Sequence, residues 1–277
     1  MIDVFDLQNN IQSAVNEAFE KAINASKDNF VAFLAEGDYM VQLKQAGRYP
    51  FVVDYKGDIP YDIKRHEFMC RYLNKHYAEN VTDYSGTEGI DNILVEMMIY
   101  THIWESYYFL KHLMRLAQLS IGKDYPWKVE IPDEGKRKFL QDTVVKPMKM
   151  KGLLLGSIVE ESYSSYLRNS FAHSRYVIYE NSKEIYYGCK TDNKKNIRKR
   201  ISFDDFQRKF YQSAFLSYYL VNKIGEGRNG LLEQVGKRTS PIVAIDETPT
   251  KTKMIIEVKK GTYSIGFAIH PSQNKVL

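Results

Sequence analysis

The sequence has 277 residues, of which 44% are hydrophobic and 26% are charged, as in a soluble globular protein and unlike a disordered chain. Its formal net charge of +5 permits a polyanionic partner but does not identify one. Its two cysteines, Cys70 and Cys189, lack the spacing of a disulfide framework. The sequence also has no signal-peptide pattern and no apolar run of about eighteen residues. We therefore expect a cytoplasmic protein without membrane contact.

The N-terminal half of the chain is predicted to be mostly helical. Apolar residues recur every three or four positions from Val4 to Leu34, which predicts one or two amphipathic helices. Glycines and prolines in residues 37–60 predict an irregular connection with one short strand at residues 51–53. A further helix is expected at residues 63–77. The same period continues without an internal proline at residues 88–119, which predicts a single helix on the order of 45 Å long.

Two more helices and a hairpin are predicted in the middle of the chain. One helical stretch covers residues 135–150 and is interrupted at Pro147, and the next covers residues 152–171. After His173 the apolar period changes to two. Residues 176–187, with a polar turn at their centre, are therefore typical of a β-hairpin.

The last third of the chain is predicted to contain a basic loop, a helix and two strands. The loop KTDNKKNIRKR, residues 190–200, precedes a helix of about twenty residues that ends near Ile224 and has Ser202 as its N-cap. Two apolar runs at residues 254–258 and 262–269 are typical of strands, and they predict a small β appendage.

The stretch RNSFAH places a fixed cation, an amide and an imidazole close together near a predicted helix end. Arg168 can hold two phosphate oxygens with its planar guanidinium. Histidine changes its charge near neutral pH, so His173 can take a proton from a ribose 2′-hydroxyl or give one to a departing 5′-oxygen. Asn169 can orient either group. These residue types predict cleavage of an RNA phosphodiester, and they require no metal or other cofactor because the 2′-hydroxyl is the nucleophile.

Arg168 and Asn169, followed by three residues and His173, resemble the signature of the HEPN superfamily (higher eukaryotes and prokaryotes nucleotide-binding domain). The continuation FAHSRYVIYENSKEIYYG resembles HEPN proteins of bacterial defence and abortive-infection systems. The resemblance implies a homodimer with both motifs in one cleft and metal-independent RNA cleavage that leaves a 2′,3′-cyclic phosphate. It makes Arg168 the phosphate-binding residue, His173 the general acid and base, and Asn169 a polar support. It implies RNA as the partner, a role in phage defence or as a toxin, and an antitoxin or defence-system protein as a candidate partner.

The predicted elements and the resemblance together give an expected fold. It is mainly α, a HEPN-like helical bundle with an inserted β-hairpin and a small C-terminal β appendage. The expected divisions are an N-terminal helical region with an irregular connection at residues 1–62, the bundle with its hairpin at residues 63–224, and the appendage at residues 225–277.

Other interpretations of the motif stay open. The same residues could hold a nucleotide or an RNA end in a HEPN-like binding or scaffold subunit that does not cleave. In a plain helical interaction protein, Arg168 would be a solvated helix residue and His173 a cation at the negative end of the helix dipole.

Basic residues soon after the motif form a candidate RNA-binding loop beside Tyr186 and Tyr187, although a solvated loop is an equally good interpretation. They are Lys190, Lys194, Lys195, Arg198, Lys199 and Arg200.

A metal site is not predicted. His66 and Cys70 are four residues apart and His76 follows, but a fourth ligand is not evident and structural zinc usually has four.

Two histidines of the long predicted helix, His102 and His112, lie among apolar residues and are expected to belong to the core or to a cleft. Glu105 lies between them and is a candidate to line the cleft, although nothing in the sequence orients it.

Overall fold

The computed structural model describes residues 3–54, 59–78, 87–190, 196–245, 251–261 and 264–272. Its helices are α1 (Val4–Ala25), α2 (Lys27–Leu34), α3 (Val41–Gln45), α4 (Ile59–Ala78), α5 (Thr87–Glu105), α6 (Tyr107–Ser120), α7 (Lys136–Leu140), α8 (Lys146–Met150), α9 (Leu154–Ser162), α10 (Ser165–Ala172) and α11 (Phe203–Leu232). Its strands are β1 (Asp38–Tyr39), β2 (Phe51–Val52), β3 (Tyr176–Tyr179), β4 (Glu184–Lys190), β5 (Asn196–Ser202), β6 (Ile242–Ile245), β7 (Lys251–Lys260) and β8 (Ile265–Pro271). The protein is mainly α with small antiparallel sheets, which confirms the predicted class.

Helix α11 lies at the centre of the helical packing. It contacts α1, α5 and α9, while α1 also packs against α6. The buried side chains form one continuous cluster that extends from Ile11 in α1 to Ile256 in β7. The predicted N-terminal helices are confirmed as α1 and α2. They are separated at Ser26. Its backbone N–H donates to the Ala22 carbonyl at the end of α1, and its hydroxyl caps α2 by accepting from the Asn29 N–H at 3.2 Å.

The single helix predicted at residues 88–119 is wrong, because the chain forms two helices that are separated at Ser106. The Ser106 backbone is extended (φ −65°, ψ 115°), and its hydroxyl caps α6 by accepting from the Phe109 N–H at 3.0 Å. Asp62 of α4 stabilises this break. Its carboxylate accepts from the Ser106 hydroxyl at 2.9 Å and from the Tyr108 N–H at 3.2 Å.

The interruption predicted at Pro147 lies one turn earlier, where a π-helical turn at Gln141–Val145 joins α7 to α8. Proline has no N–H, so Pro147 cannot donate to the carbonyl of Thr143 four residues before it. That carbonyl instead accepts from the side-chain amide of Gln118 in α6 at 2.8 Å. A side chain from a neighbouring helix thus replaces the missing backbone bond.

Helix α11 begins where predicted and ends later than predicted. The Ser202 cap is confirmed, since its hydroxyl accepts from the Asp205 N–H at 3.1 Å. The helix does not end near Ile224 but continues to Leu232. Gly227 has a packing role within it, because a Cβ there would lie 3.1 Å from the side-chain carbons of Leu34 in α2.

The second half of the predicted basic loop is a strand. β5 pairs antiparallel with β4, so the predicted hairpin becomes the three-stranded sheet β3-β4-β5. The register places Arg200 opposite Tyr186 and Lys199 opposite Tyr187. Backbone hydrogen bonding with β4 therefore orders residues that composition alone assigns to a loop.

In its described residues the C-terminal appendage contains three strands rather than the two predicted, because β6 pairs with β7. Of the second predicted run, Thr262 and Tyr263 lie outside the described residues. The Asp54 carboxylate links this sheet to the rest of the protein by accepting from the Phe267 N–H at 3.1 Å. The divisions expected after residues 62 and 224 stay predictions. None of the helices that can be described is both long and apolar enough to cross a bilayer.

Candidate active site

The motif lies on α10, a helix of two turns, and not on the long helix predicted at residues 152–171. The chain is extended at Tyr163 and Ser164, which separates α9 from α10. The buried hydroxyl of Tyr100 in α5 bridges the break, since it donates to the Ser162 carbonyl at 3.0 Å and accepts from the Ser164 N–H at 2.9 Å. The start of α10 is therefore held against α5.

The buried face of α10 fixes its orientation. Leu167, Ser170 and Phe171 are buried. The Ser170 hydroxyl lies 2.8 Å from the Gly188 carbonyl of β4, and the Phe171 ring packs edge-on against Phe206 of α11 with centroids 5.4 Å apart. The motif is thus held between the helical core and the β3-β4-β5 sheet.

The C-terminal end of α10 holds His173 at the surface. The Arg175 N–H donates to the Ser170 carbonyl at 2.8 Å and the Ser174 N–H donates to the Phe171 carbonyl at 3.1 Å, which is the Schellman arrangement. Ser174 has φ +51°, although glycine is the usual residue at this position. His173 is the exposed last residue before this turn. Its imidazole is therefore open to a ligand.

Arg168 is directed into a charge cluster. Its guanidinium donates to one oxygen of Glu105, the last residue of α5, and the ammonium of Lys136 in α7 donates to the other oxygen. We call these three residues the Glu105 cluster. The side-chain exposures are 13% for Arg168, 8% for Lys136 and 31% for Glu105. Two largely buried cations share one carboxylate, so the cluster carries an excess positive charge.

Two polar atoms beside the Glu105 cluster have no hydrogen-bond partner in the part of the chain that the structure describes. They are the Arg168 Nε and the Tyr163 hydroxyl, and the Arg168 side chain lies close enough to Tyr163 to affect its pKa. Burial raises the pKa of Tyr163, and the Arg168 charge opposes this effect only in part. An anion that reached this point could accept from both groups.

The structure thus brings Arg168 together with Glu105 and Lys136, and it places His173 at the surface end of the same short helix. Arg168 and His173 form no hydrogen bond with each other within the described ranges. Asn169 is partly buried, and its carbonyl accepts from the His173 N–H at 3.1 Å. The alternative interpretation of Arg168 as a solvated helix residue is wrong, because its side chain is largely buried and pairs with Glu105.

The basic residues proposed for RNA binding are divided by the pleat of β5. Lys199 turns towards α10, where its ammonium lies 4.1 Å from the centre of the Tyr166 ring. Arg198 and Arg200 are exposed on the opposite face. Lys190 ends β4, and Lys194 and Lys195 lie outside the described residues.

The same sheet divides the two tyrosines predicted beside the basic residues. Tyr187 is buried, so it cannot stack on a base. Tyr186 is exposed and packs edge-on against exposed Tyr179 with ring centroids 4.9 Å apart. Tyr179 therefore takes the place of Tyr187 as a candidate stacking residue.

A cleft of about 300 Å³ lies beside α10 and adjoins the Glu105 cluster at Tyr163. Arg137 and Lys199 supply positive charge to its wall, and Ser164 and Ser165 supply hydroxyls. Arg137 and Lys136 could not be selected from the sequence, because they reach the motif only through the folded chain: Lys136 pairs with Glu105, 31 residues earlier, and Arg137 lines the same cleft as Ser164 and Ser165.

Of the residues considered for a metal, those whose side chains the structure describes do not form a group of ligands. His66 lies in a separate cavity, and Cys70 is a partly buried free thiol. The side chain of His76 is outside the described part of the structure. No group of three or more His, Cys, Asp or Glu side chains that could hold a metal occurs among the described residues.

Comparison of the chain with family models, with curated proteins and with solved structures gives no match in any of the three.

Proposed function

We propose that this protein is a HEPN-type endoribonuclease that cleaves RNA without a metal ion. The observation that carries the proposal is that one short helix, α10, holds both an exposed imidazole, His173, and Arg168, the arginine of the positively charged Glu105 cluster. Cleavage of a phosphodiester requires both a group that transfers a proton and a cation that stabilises the charge developing on the phosphate.

In the proposed reaction the ribose 2′-oxygen attacks the adjacent phosphorus and the bond from phosphorus to the 5′-oxygen breaks. His173 takes the proton of the 2′-hydroxyl or supplies one to the departing 5′-oxygen, and Arg168 stabilises the negative phosphate oxygens. Asn169 supports the bound phosphate. The products are a 2′,3′-cyclic phosphate and a 5′-hydroxyl.

The exposed face of the β3-β4-β5 sheet supports RNA as the substrate. Tyr179 and Tyr186 offer rings on which bases can stack, and Arg198 and Arg200 offer charge to the backbone on the same face. Arg200 keeps a side-chain exposure of 68% although its guanidinium lies 3.3 Å from Glu184. This weak surface pair leaves Arg200 available to phosphate.

Burial of Arg168 favours a second candidate function, an RNA-binding or nucleotide-binding subunit that does not cleave. Glu105 already occupies the Arg168 guanidinium, so a phosphate must compete with a carboxylate before it can be held for reaction. Binding at the edge of the cluster requires less rearrangement than catalysis does.

The test is incubation of the purified protein with structured RNA in EDTA, with analysis of the product ends. We expect cyclic phosphate ends from the wild type, loss of cleavage in Arg168→Ala and His173→Ala, and retained cleavage in Arg175→Ala. Arg175 is a matched control, because it is an exposed arginine two residues after His173. Binding that depends on Arg168 without cleavage would establish the second candidate, and absence of both activities would refute the proposal.

A homodimer is part of this proposal, and mixing two inactive variants tests it. If Arg168 of one copy acts with His173 of a second copy, combining Arg168→Ala with His173→Ala protein creates mixed dimers with one intact pair. Part of the activity then returns. If the two residues act within one chain, the mixture stays inactive while each wild-type copy is active alone.

A further inference from the structure

A second candidate site lies in a cavity of about 340 Å³ between α4, α5, α6 and α11. Its volume is within the range of sites for small organic ligands. Much of the wall is apolar, with contributions from Met69, Ile99, Ile103, Phe109, Val221 and Ile224. The motif residues Arg168, Asn169 and His173 are not part of the wall, so the cavity is separate from the candidate active site.

Glu36 places a carboxyl group in this cavity at a cost in backbone energy. The residue ends α2 in a Schellman arrangement, in which the Gly37 N–H donates to the Ala32 carbonyl at 2.9 Å and the Glu36 N–H donates to the Phe33 carbonyl at 3.2 Å. Glu36 has φ +51°, a left-handed conformation that costs a residue with a Cβ about 1–2 kcal/mol. Glycine would avoid this cost, so a glutamate here points to a use for its side chain.

The Glu36 carboxyl has a hydrogen-bond donor but no ion pair in the described part of the chain. The Tyr108 hydroxyl donates to one carboxyl oxygen at 3.0 Å. Burial raises the Glu36 pKa, and the Arg228 charge opposes this effect without overcoming it. The Arg228 guanidinium instead donates to Asp54 and to the Leu34 carbonyl.

The other charged groups of the cavity are already matched. Asp62 accepts from Ser106 and Tyr108, and its second oxygen lies 3.5 Å from Arg65. Glu67 pairs with Lys64 at 3.0 Å. The unmatched negative charge in the wall is therefore at Glu36.

The histidines of the wall do not supply the missing positive charge. Burial lowers the pKa of His66, and burial together with the nearby Arg65 lowers the pKa of His102. Both shifts favour the neutral form of the imidazole. The apolar body of a ligand can pack between the two imidazoles, but the countercharge for Glu36 must come from the ligand itself.

We propose that this cavity binds a small apolar molecule that carries a basic amine. The ammonium group of the ligand donates to the Glu36 carboxylate, next to the Tyr108 hydroxyl. The ring or chain of the ligand packs against Ile103, Met69 and Ile224. The chemistry that defines the ligand is one positive charge at the end of an apolar body of roughly ten to fifteen non-hydrogen atoms, which a pocket of this size can enclose.

Three probes of matched shape test the proposal: tryptamine, the neutral alcohol tryptophol, and indole-3-propionate. Their dissociation constants are measured by calorimetry or by ligand-detected NMR on the full chain. We expect tryptamine to bind at least about tenfold more tightly than tryptophol, because its charged hydrogen bond to Glu36 is stronger than a neutral one. The carboxylate is expected to bind weakest.

Glu36→Gln should abolish the preference for the amine, whereas Glu67→Gln, a change of the same kind in the same wall, should preserve it. Glu36→Gly separates binding from folding: it should lose the preference while the unfolding temperature stays the same or rises, because glycine is favoured at φ +51°. Binding of none of the probes, binding of the acid as tightly as the amine, or an undiminished preference in Glu36→Gln would each overturn the proposal.

Discussion

The buried imidazole of His112 predicts a specific loss of stability in mild acid. His112 is 2% exposed in α6, where the centre of its ring lies 4.1 Å from that of Tyr108 and 5.8 Å from that of Phe33. Its Nδ1 is 2.9 Å from the Tyr108 carbonyl, while its Nε2 is buried without a partner in the described structure. Burial, reinforced by the charge of Arg115, lowers the pKa of His112 from 6.5 to about 3.

The direction in which pH changes the free energy of unfolding depends on whether the folded or the unfolded chain binds the proton. Below pH 6.5 the unfolded chain takes up a proton at His112 that the folded protein does not, so the free energy of unfolding falls as the pH falls. Each pH unit in this range contributes about 1.4 kcal/mol. Between pH 7 and pH 5 the loss is therefore about 2 kcal/mol, and it continues until the pH approaches the folded value of about 3.

Urea unfolding of the wild type and of His112→Phe at several pH values between 7 and 5 measures this loss. Phenylalanine keeps a ring against Tyr108 and Phe33 but cannot take up a proton. We expect the wild type to lose about 2 kcal/mol more than His112→Phe over this interval, whatever their difference at pH 7. Parallel curves for the two proteins would show that His112 is not buried in its neutral form and would refute the reasoning.

Two further substitutions test the surroundings of the motif. Ser106→Ala removes the cap of α6 and a donor to Asp62, so the free energy of unfolding measured in urea titrations should fall by about 1 kcal/mol. An unchanged value would contradict the role of the cap. Glu105→Gln leaves Arg168 and Lys136 without their countercharge, so it should lower the stability of the fold. The same change should increase RNA affinity in filter binding at low salt, because the cluster becomes more positive. Weaker RNA binding would contradict the excess charge of the Glu105 cluster.

Apolar spacing was sufficient to predict most of the helices, but not where they are interrupted. The helical period continues through Ser106 and through Tyr163, so a pattern of buried positions does not distinguish one helix from two. The interruptions depend on distant side chains: Asp62 binds the turn at Ser106, and the Tyr100 hydroxyl joins the ends of α9 and α10. A serine before an apolar run is a local signal for the first break.

The motif residues could be selected from the sequence because they lie within six positions of each other. The residues that surround them in the fold could not be predicted. Glu105 is 63 residues from Arg168, and its carboxylate reaches the guanidinium only because α5 packs against α10. The register of β5 likewise decides that Lys199 faces α10 while Arg198 and Arg200 face away. Composition identifies these residues as basic, but strand pairing determines which of them lies near the motif.

Left-handed backbone at residues other than glycine occurs at both candidate sites. Ser174 adopts φ +51° immediately after His173, and Glu36 adopts the same angle in the wall of the cavity. Each ends a helix at a position where glycine would cost less, by about 1–2 kcal/mol. At Ser174 the turn directs the chain from α10 into β3 and leaves His173 exposed at the helix end. At Glu36 it brings the carboxyl into an apolar cavity. Asp54 and Lys183 also adopt left-handed angles, so this conformation is not confined to the two candidate sites, but at Glu36 and Ser174 it positions groups that we propose to contact ligands.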